Sequence, residues 1–375
     1  MADSIREHFA LLPDPRKNKG KRHTLHTILT IAIIAVICGN DDFEGMEEFA
    51  SSKRSWLSTW LDLKHGVPTA DTFRRVFALL DPDAFEQCFI SWMKALAGSL
   101  EGKLIALDGK TLRRSFDNAW NAHSAVHMVS AFVAANALVF TQTKVADKSN
   151  EITAIPELLD LLDIQGATVS IDAMGCQKTI AQKIKSKGGE YVLALKENQP
   201  TLYAKTKTLM DEALLLGFKD MIYDLHRQVD SDHGRIETRS VWITPEVEHL
   251  GSAAEGFEGL SGVAMVESTR QIIGGNTTTQ RRYYLFSHLD VTAELIAGHI
   301  RGHWSVENQL HWILDVQFNE DQSRVRRGHA AENLSRVRRL ALNLLQQEKT
   351  CKKGIAIKRR KAGWDNEYLL KVLQM

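Results

Sequence analysis

The chain has 375 residues, of which 44% are hydrophobic and 25% are charged. This composition is typical of folded globular proteins and excludes wholesale disorder, and the length predicts two or three structural units at roughly 100–200 residues each. The formal net charge is only +1, so the overall balance indicates no acidic partner. The four cysteines form no CxxC pair. This argues against a disulfide scaffold or a zinc knuckle and favours a reduced, cytoplasmic setting.

Positive charge is concentrated in two segments. Residues 322–375 contain fourteen Lys and Arg residues against four Asp and Glu residues, and five of the eight residues 15–22 are basic. Such clusters can contact a polyanion even when the whole chain is nearly neutral. A solvated, charged helix face is the alternative explanation for the C-terminal cluster.

Residues 1–100 have the apolar spacing of three and four residues that predicts helices packed by one face. The apolar run at 28–38 follows basic residues but is eleven residues long, which is short of the ~20 that a membrane helix needs. Polar residues follow it, where a signal peptide would have a cleavage site. We therefore predict a buried helix, with no export and no membrane association.

After residue 100 the pattern becomes that of an α/β fold. Apolar runs predict strands and periodic runs predict helices, in the order strand 104–107, strand 127–132, strand 138–145, helix 152–162, strand 168–171, helix 178–187 and strand 191–195. Strand-like runs rich in Gly and Thr follow, and the chain from Thr292 to Gln347 is predicted to be helical. The predicted domains are a helical N-terminal region (1–100), the first part of a catalytic core (101–216), a β-rich insertion (217–287), completion of the core (288–347) and a basic C-terminal tail (348–375).

Two aspartates stand where predicted strands end. Asp108 follows the first strand in the string IALDG, and Asp172 repeats the arrangement in SIDAMG. In open α/β sheets the ends of strands are the usual location for chemistry. A carboxylate there is costly unless it is solvated or neutralised, and a divalent cation can neutralise two at once. A single Asp is more often a turn residue or a helix cap, but two with the same surroundings favour a site.

Glu307 is the third candidate acid, on a predicted helix with an apolar stripe. It can complete a three-carboxylate, two-metal site that leaves room for a phosphodiester. One alternative is a surface ion pair with Arg301 or Arg327. Another is zinc binding by the histidines spaced at four residues along this helix, although the chain has no HExxH string.

Basic residues accompany all three acids. Cations beside a carboxylate cluster are expected when the substrate is a phosphate backbone, because they neutralise what the acids would repel. They include Lys110, Arg113, Arg114, Lys196, Arg324, Arg326 and Arg327.

These residues belong to strings that together resemble one family, the H-repeat-associated transposases of bacterial insertion sequences. The resemblance covers nearly the whole chain and rests on ALDGKTLRRS, HMVSAF, KSNEITAIPELL, DAMGCQKTIAQKI, GGEYVLALKENQ, HGRIETR and RGHWSVENQLHWILDVQFNED. It implies a DDE-superfamily protein with an RNase H-like catalytic core, a helical N-terminal region and a β-rich insertion. Asp108, Asp172 and Glu307 would be its catalytic and metal-binding triad.

The same resemblance implies Mg²⁺ or Mn²⁺ as cofactor, double-stranded DNA of element ends and target as partner, and a homodimer in a synaptic complex. Many related transposases place a Tyr, an Arg and a Lys around the glutamate, where this chain has Ile300, His303 and Leu314. Phosphate contacts are therefore assigned to Arg301 and His303, or to His311. Asp315 is the substitute acid if Glu307 is dispensable.

The activity implied is metal-dependent hydrolysis at the ends of an insertion sequence, followed by strand transfer into target DNA. Two alternatives stay open. One is an inactive remnant of a mobile element that binds DNA without cutting it, and the other is an RNase H-like host nuclease that cuts without joining strands.

Overall fold

The structure is a computed structural model that describes residues 7–17, 21–115, 125–145, 151–232 and 234–373. Residues 18–20 of the N-terminal basic segment and His233 of the HGRIETR string lie outside the described residues. The chain divides into two compact units. The first unit comprises residues 1–99, 109–148 and 307–375, and the second comprises residues 100–108 and 149–306.

Helices dominate the first unit. They are α1 (Leu25–Ile37), α2 (Phe43–Ser52), α3 (Arg54–Leu57), α4 (Ala70–Leu79), α5 (Pro82–Ala97), α10 (Trp312–Gln317), α11 (Ala330–Gln347), α12 (Ile355–Trp364) and α13 (Asn366–Val372). The apolar run is helix α1, which begins at the N-cap Thr24, and twelve of its thirteen residues are buried. It packs against α11. The prediction of a buried helix is confirmed, and none of the described helices is long and apolar enough to span a membrane.

The first unit also holds the end of β1 (Leu104–Thr111) and the antiparallel pair β2 (His127–Val133) and β3 (Leu138–Lys144), in the order β3-β2-β1. Side chains form hydrogen bonds with backbone groups at the outer edge of β3. Asn343 accepts a hydrogen bond from the Val139 backbone nitrogen at 2.9 Å and donates to the Val139 carbonyl at 2.7 Å. Glu86 accepts from the Gln142 nitrogen at 3.0 Å. Backbone groups that have no neighbouring strand are thus paired with side chains of α11 and α5.

The second unit is built on a sheet with strand order β1-β4-β5-β9-β8-β7-β6. Its remaining elements are α6 (Glu151–Asp160), β4 (Thr168–Ile171), α7 (Lys178–Ser186), β5 (Glu190–Leu195), α8 (Pro200–Leu215), β6 (Asp224–Asp232), β7 (Arg235–Thr244), β8 (Gly262–Ile272), β9 (Thr277–Phe286) and α9 (Ala293–His303). Strands β1, β4 and β5 are parallel to one another. The remaining neighbours, β5 with β9, β9 with β8, β8 with β7 and β7 with β6, pair antiparallel. Helix α9 buries Ile296 and Ile300 against the apolar face of the antiparallel strands.

This topology confirms the predicted fold class, an α/β fold with an RNase H-like core, a helical N-terminal region and a β-rich insertion. Strand β4 has the predicted bounds, and strand β6 was not predicted. The segment from Thr292 to Gln347 was predicted to be helical, and most of it is, but the helix is interrupted. That segment contains α9, a π-helical turn at Glu307–His311, α10, an irregular stretch around Asn319 and then α11.

The C-terminal segment also differs from expectation. Residues 348–375 were predicted to be a basic tail, but the described part of this segment folds into α12 and α13. Two of its basic side chains, Lys358 and Arg359, are buried. Lys358 donates to the Leu345 carbonyl at 2.7 Å, and Arg359 is ion-paired with Asp41. The basic residues that suggested a mobile tail are therefore partly internal.

Candidate active site

Asp108 and Asp172 lie at the same edge of the second unit's sheet. Strands β1 and β4 are parallel neighbours, and their register pairs Leu107 with Ile171, so the two aspartates are the next residues in register along both strands. Both residues are partly buried. Asp172 directly follows β4, but β1 continues past Asp108 to Thr111, so the prediction that the first strand ends before Asp108 is wrong. The two predicted site residues still follow the same registered pair, next to the carboxyl end of β4, where a site is expected in such a sheet.

The loop after β4 fixes the Asp172 carboxylate. Its Oδ1 accepts hydrogen bonds from the backbone nitrogens of Met174 at 3.1 Å and Gly175 at 3.3 Å. A Cβ atom added at Gly175 would lie 2.2 Å from the Ile171 side chain, so the turn requires glycine. Burial raises the pKa of Asp172, and the nearby charge of Glu151 adds to this effect. Its ionised form therefore benefits from a nearby cation.

Two amide side chains support this loop, and neither role was predicted from the sequence. Asn198 donates a hydrogen bond to the Ala173 carbonyl, and Gln199 donates to the Cys176 carbonyl at 3.0 Å. Both residues follow β5, in the string KENQ. Only their position directly after a strand parallel to β4 could have indicated this supporting role.

Glu307 belongs to the first unit and is exposed. It begins the π-helical turn Glu307–His311, which is anchored by the buried Leu310. Single π turns inside helices are rare and often mark functional sites. Within the described parts of the chain, no three His, Cys, Asp or Glu side chains lie close enough to hold a metal ion together.

The structure contradicts the predicted DNA contact of Lys110. This residue is only 8% exposed, and its ammonium group forms ion pairs with Asp315 and, at 3.2 Å, with Glu320. Its charge is compensated within the protein and is not available to a phosphate. Asp315, the proposed substitute for Glu307, is therefore already ion-paired with Lys110.

Burial lowers the pKa of two histidines that flank Glu307 in the sequence. His303 shares a 3.0 Å hydrogen bond with the Ser170 hydroxyl, and burial lowers its pKa to about 4. Burial and the charge of Lys110 lower the pKa of His311 to about 3. His303 was predicted to be a phosphate contact, but at neutral pH it has no positive charge to offer.

The remaining predicted DNA contacts lie on the surface or near it. Lys196 is exposed at the end of β5, and Arg301 is exposed with Asp230 at 3.9 Å. Arg113 is exposed and lies 3.3 Å from Asp321. Arg114 is partly buried, and its backbone carbonyl accepts a hydrogen bond from Arg326 at 2.9 Å. Their roles in DNA binding stay predictions.

The chain matches a family model described as "Transposase DDE domain" over residues 100–344. The chain belongs to this transposase family. A second family model, described as "DDE_Tnp_1-associated", matches residues 6–93, which correspond to the helical N-terminal region. Both aspartates and Glu307 lie within the matched transposase domain.

Similar proteins extend over almost the full length of the chain. "H repeat-associated putative transposase YhhI" of Escherichia coli K12 is 40% identical over 372 residues, which cover 98% of this chain and 97% of that protein. "Putative transposase YncI" of Escherichia coli O157:H7 is also 40% identical, over 99% of this chain and 94% of that protein. The resemblance to H-repeat-associated transposases is confirmed.

Among solved structures, a piggyBac transposase synaptic complex with hairpin DNA aligns with 99% of this chain and 78% of its own, at a TM-score of 0.40 and 9% identity.

Proposed function

We propose that this protein is a DNA transposase that hydrolyses phosphodiester bonds at the ends of an insertion sequence and transfers the freed strands to target DNA. The observation that carries the proposal is the position of Asp108 and Asp172 on two adjacent parallel strands. Each is the next residue beyond their last registered pair, Leu107 and Ile171. Membership of the transposase family supports the same conclusion. Glu307 is proposed as the third acid from the family pattern.

The donor set at the strand ends fits a divalent cation. It consists of carboxylate oxygens, which Mg²⁺ and Mn²⁺ prefer, and members of this family generally use divalent metals. A bound cation would supply activation of a water molecule and stabilisation of the attacking and leaving oxygens. The partial burial of Asp172 favours such binding, because a desolvated carboxylate gains most from a neighbouring positive charge.

The protein's own groups orient the reaction. The backbone nitrogens of Met174 and Gly175 hold the Asp172 carboxylate in one position, which preorganises the site before DNA arrives. Lys196 and Arg301 are exposed cations that we propose to contact the DNA backbone. Pairing of two element ends calls for two copies, so we propose a homodimer acting in the cytoplasm. The five predicted domains stay a proposal.

A cleavage and strand-transfer assay tests the proposed function. Labelled DNA carrying the inverted repeats of the element is incubated with Mg²⁺ or Mn²⁺ and with wild type, Asp172→Asn or Asp163→Asn protein. Asp163 is exposed and lies before β4, so its variant controls for the loss of one negative charge. We expect nicking at the repeat ends and joined products with wild type and the control, and neither with Asp172→Asn.

Each alternative gives a different result in the same assay. Binding of the repeat ends without any cut, under both metals, would identify an inactive remnant. Cleavage without joined products would identify a nuclease. Equal cutting by wild type and Asp172→Asn would remove Asp172 from the catalytic site.

A further inference from the structure

A cavity in the first unit has no assigned role. It measures about 830 Å³ and lies between the start of α2, helix α4, the irregular stretch after α10 and helix α11. Five arginines line it: Arg74, Arg324, Arg326, Arg327 and Arg338. We refer to this set of residues as the arginine pocket. Ligand sites commonly fall between about 300 and 1,000 Å³, so the cavity is large enough for a substantial group.

The acidic residues that line the cavity already have partners in the protein. Asp41 is ion-paired with Arg359, and Glu44 is ion-paired with Arg74. Asp42 caps helix α2 by accepting a hydrogen bond from the Gly45 nitrogen at 2.7 Å. These three carboxylates therefore contribute little to neutralising the other arginines of the arginine pocket.

Two exposed arginines of the arginine pocket lack such compensation. Arg338, which is buried near the charges of Glu320 and Asp41, has one unmet hydrogen-bond donor. Among the residues that the structure describes, Arg324 and Arg327 have no ion pair and no side-chain hydrogen bond, and both are exposed. Arg338 is only 2% exposed, and its buried Nε has no hydrogen-bond partner, although its Nη2 donates to the Asp41 carbonyl at 3.2 Å. Burial lowers the pKa of Arg338. A buried guanidinium with an unmet donor is costly unless an anion satisfies it.

The chemistry of the lining selects the class of anion. Guanidinium groups offer planar pairs of N–H donors that match phosphate oxygens in bidentate geometry. Several such groups around one cavity suit more than one phosphate, as along a nucleic-acid strand. A free phosphate ester has the same chemistry, so the test below includes one.

We propose that the arginine pocket binds the phosphodiester backbone of DNA, with Arg324 and Arg327 at its surface and Arg338 at its base. The proposal rests on the proposed function, because it takes DNA as the substrate of this protein. It adds to that function a binding surface built from residues other than the proposed catalytic acids.

The first test measures the affinity of the full-length protein for a duplex carrying the repeat ends as a function of salt concentration. The variant Arg324→Gln/Arg327→Gln is compared with Arg54→Gln/Lys94→Gln, which removes two positive charges from exposed residues of the same unit outside the pocket. We expect the pocket variant to bind about 10- to 100-fold more weakly and its salt slope to decrease by roughly 1.8, the value for two lost phosphate contacts. The control variant should retain most of the affinity.

A second measurement needs no substitution. Arg324 and Arg327 of wild-type protein are modified with phenylglyoxal, and the modification is quantified by mass spectrometry with the duplex, with deoxythymidine triphosphate or with inorganic phosphate present. We expect the duplex to protect both arginines at concentrations where the two small phosphates do not. Equal protection by the triphosphate would overturn the proposal in favour of a small-ligand site.

Failure of the pocket and failure of the proposed function give different results. If wild type cuts and joins DNA while the pocket variant binds with unchanged affinity and slope, the pocket proposal is overturned and the function stands. If the pocket variant binds weakly while Asp172→Asn cuts like wild type, the pocket stands and the assigned active site does not. Absence of DNA binding by wild type overturns both.

Discussion

Glu320 shows how a buried acid can organise its surroundings. Its side chain is fully buried and forms ion pairs with Arg339 at 2.9 Å and with Lys110 at 3.2 Å. Burial alone would raise its pKa, but the charges of Arg339 and Lys110 outweigh burial and lower the pKa to about 2. Lys110 lies two residues beyond Asp108, so this network fixes the strand that carries a candidate catalytic acid.

We predict that Glu320→Gln lowers the free energy of unfolding by about 3–5 kcal/mol, because it leaves the buried Arg339 without its ion-pair partner and removes one of the two partners of Lys110. Lys64→Gln is the matched control. It breaks the exposed pair of Lys64 with Asp62 and should cost less than about 1 kcal/mol. Denaturant unfolding at pH 7 measures both. A loss below 1 kcal/mol for Glu320→Gln would show that the network contributes little.

We also predict that the buried His303 makes the protein less stable in acid. The pKa of His303 falls from its ordinary 6.5 to about 4 because the ring is buried. Between pH 6.5 and pH 4, His303 takes up a proton in the unfolded chain but not in the folded protein. Its contribution to the free energy of unfolding is therefore fully present above pH 6.5 and decreases as the pH falls towards 4. At pH 5 the expected loss from His303 is about 2 kcal/mol.

Urea unfolding at pH 7.5 and pH 5 measures this effect. His303→Asn should reduce the difference between the two pH values by that amount, whereas His65→Asn, at an exposed position, should leave it unchanged. An unchanged difference in the His303 variant would contradict the assignment.

The two aspartates of the candidate site could be proposed from the sequence because each follows a short apolar run, although β1 continues past Asp108 to Thr111. The role of Lys110 could not. Its partners Asp315 and Glu320 lie about two hundred residues later in the chain, and nothing local distinguishes a buried ion pair from an exposed cation that could meet DNA.

At the scale of elements, local apolar patterns predicted strands well where burial is continuous, as in β4. Strand β6 was not predicted because its string, DLHRQVDSD, is mostly polar. Its strand conformation depends on antiparallel pairing with β7. The breaks in the helical segment after Thr292 were not predicted, because no Pro or Gly marks them between Gly302 and Gly328. These breaks coincide with long-range contacts, such as the Lys110 pairs, that no window of sequence contains.

Gly328 provides an element-scale prediction. It connects the arginine-rich stretch to α11 with φ +53, and an added Cβ would lie 2.4 Å from the Ala78 carbonyl oxygen. We expect Gly328→Ala to lower the free energy of unfolding by about 1–3 kcal/mol through left-handed strain and the backbone clash. Gly354→Ala is the control, because Gly354 has φ −64 and open space around it. Thermal denaturation compares them, and equal melting temperatures would contradict the clash.

For the whole molecule, the basic C-terminal region serves two purposes. Arg336 and Arg339 are buried and pair with Glu86 and Glu320, so a large part of the local positive charge is internal. Arg324 and Arg327 remain exposed. The charge excess counted from the sequence is therefore larger than the positive charge exposed at the surface. Only side-chain packing distinguishes the buried arginines from the exposed ones.

Arg359 links the end of the chain to the N-terminal helices. It donates to the Val36 carbonyl at 2.7 Å, to the Gln317 carbonyl and to Asp41. We expect Arg359→Ala to lower the free energy of unfolding by about 3–5 kcal/mol, because it removes the partner of the partly buried Asp41 carboxylate and the hydrogen bonds to two backbone carbonyls. Arg360→Ala changes the next residue, which is exposed, and should cost less than about 0.5 kcal/mol. Equal effects in urea unfolding would make the C-terminal helices an independent appendage.

The closed edge of β3 has a consequence for how copies of this protein behave when crowded together. An open outer strand is a template on which another chain can add its own strand, and this leads to aggregation. Asn343 and Glu86 occupy hydrogen-bonding positions that such a strand would need. These two side chains therefore hinder strand addition at this edge when many copies are concentrated together.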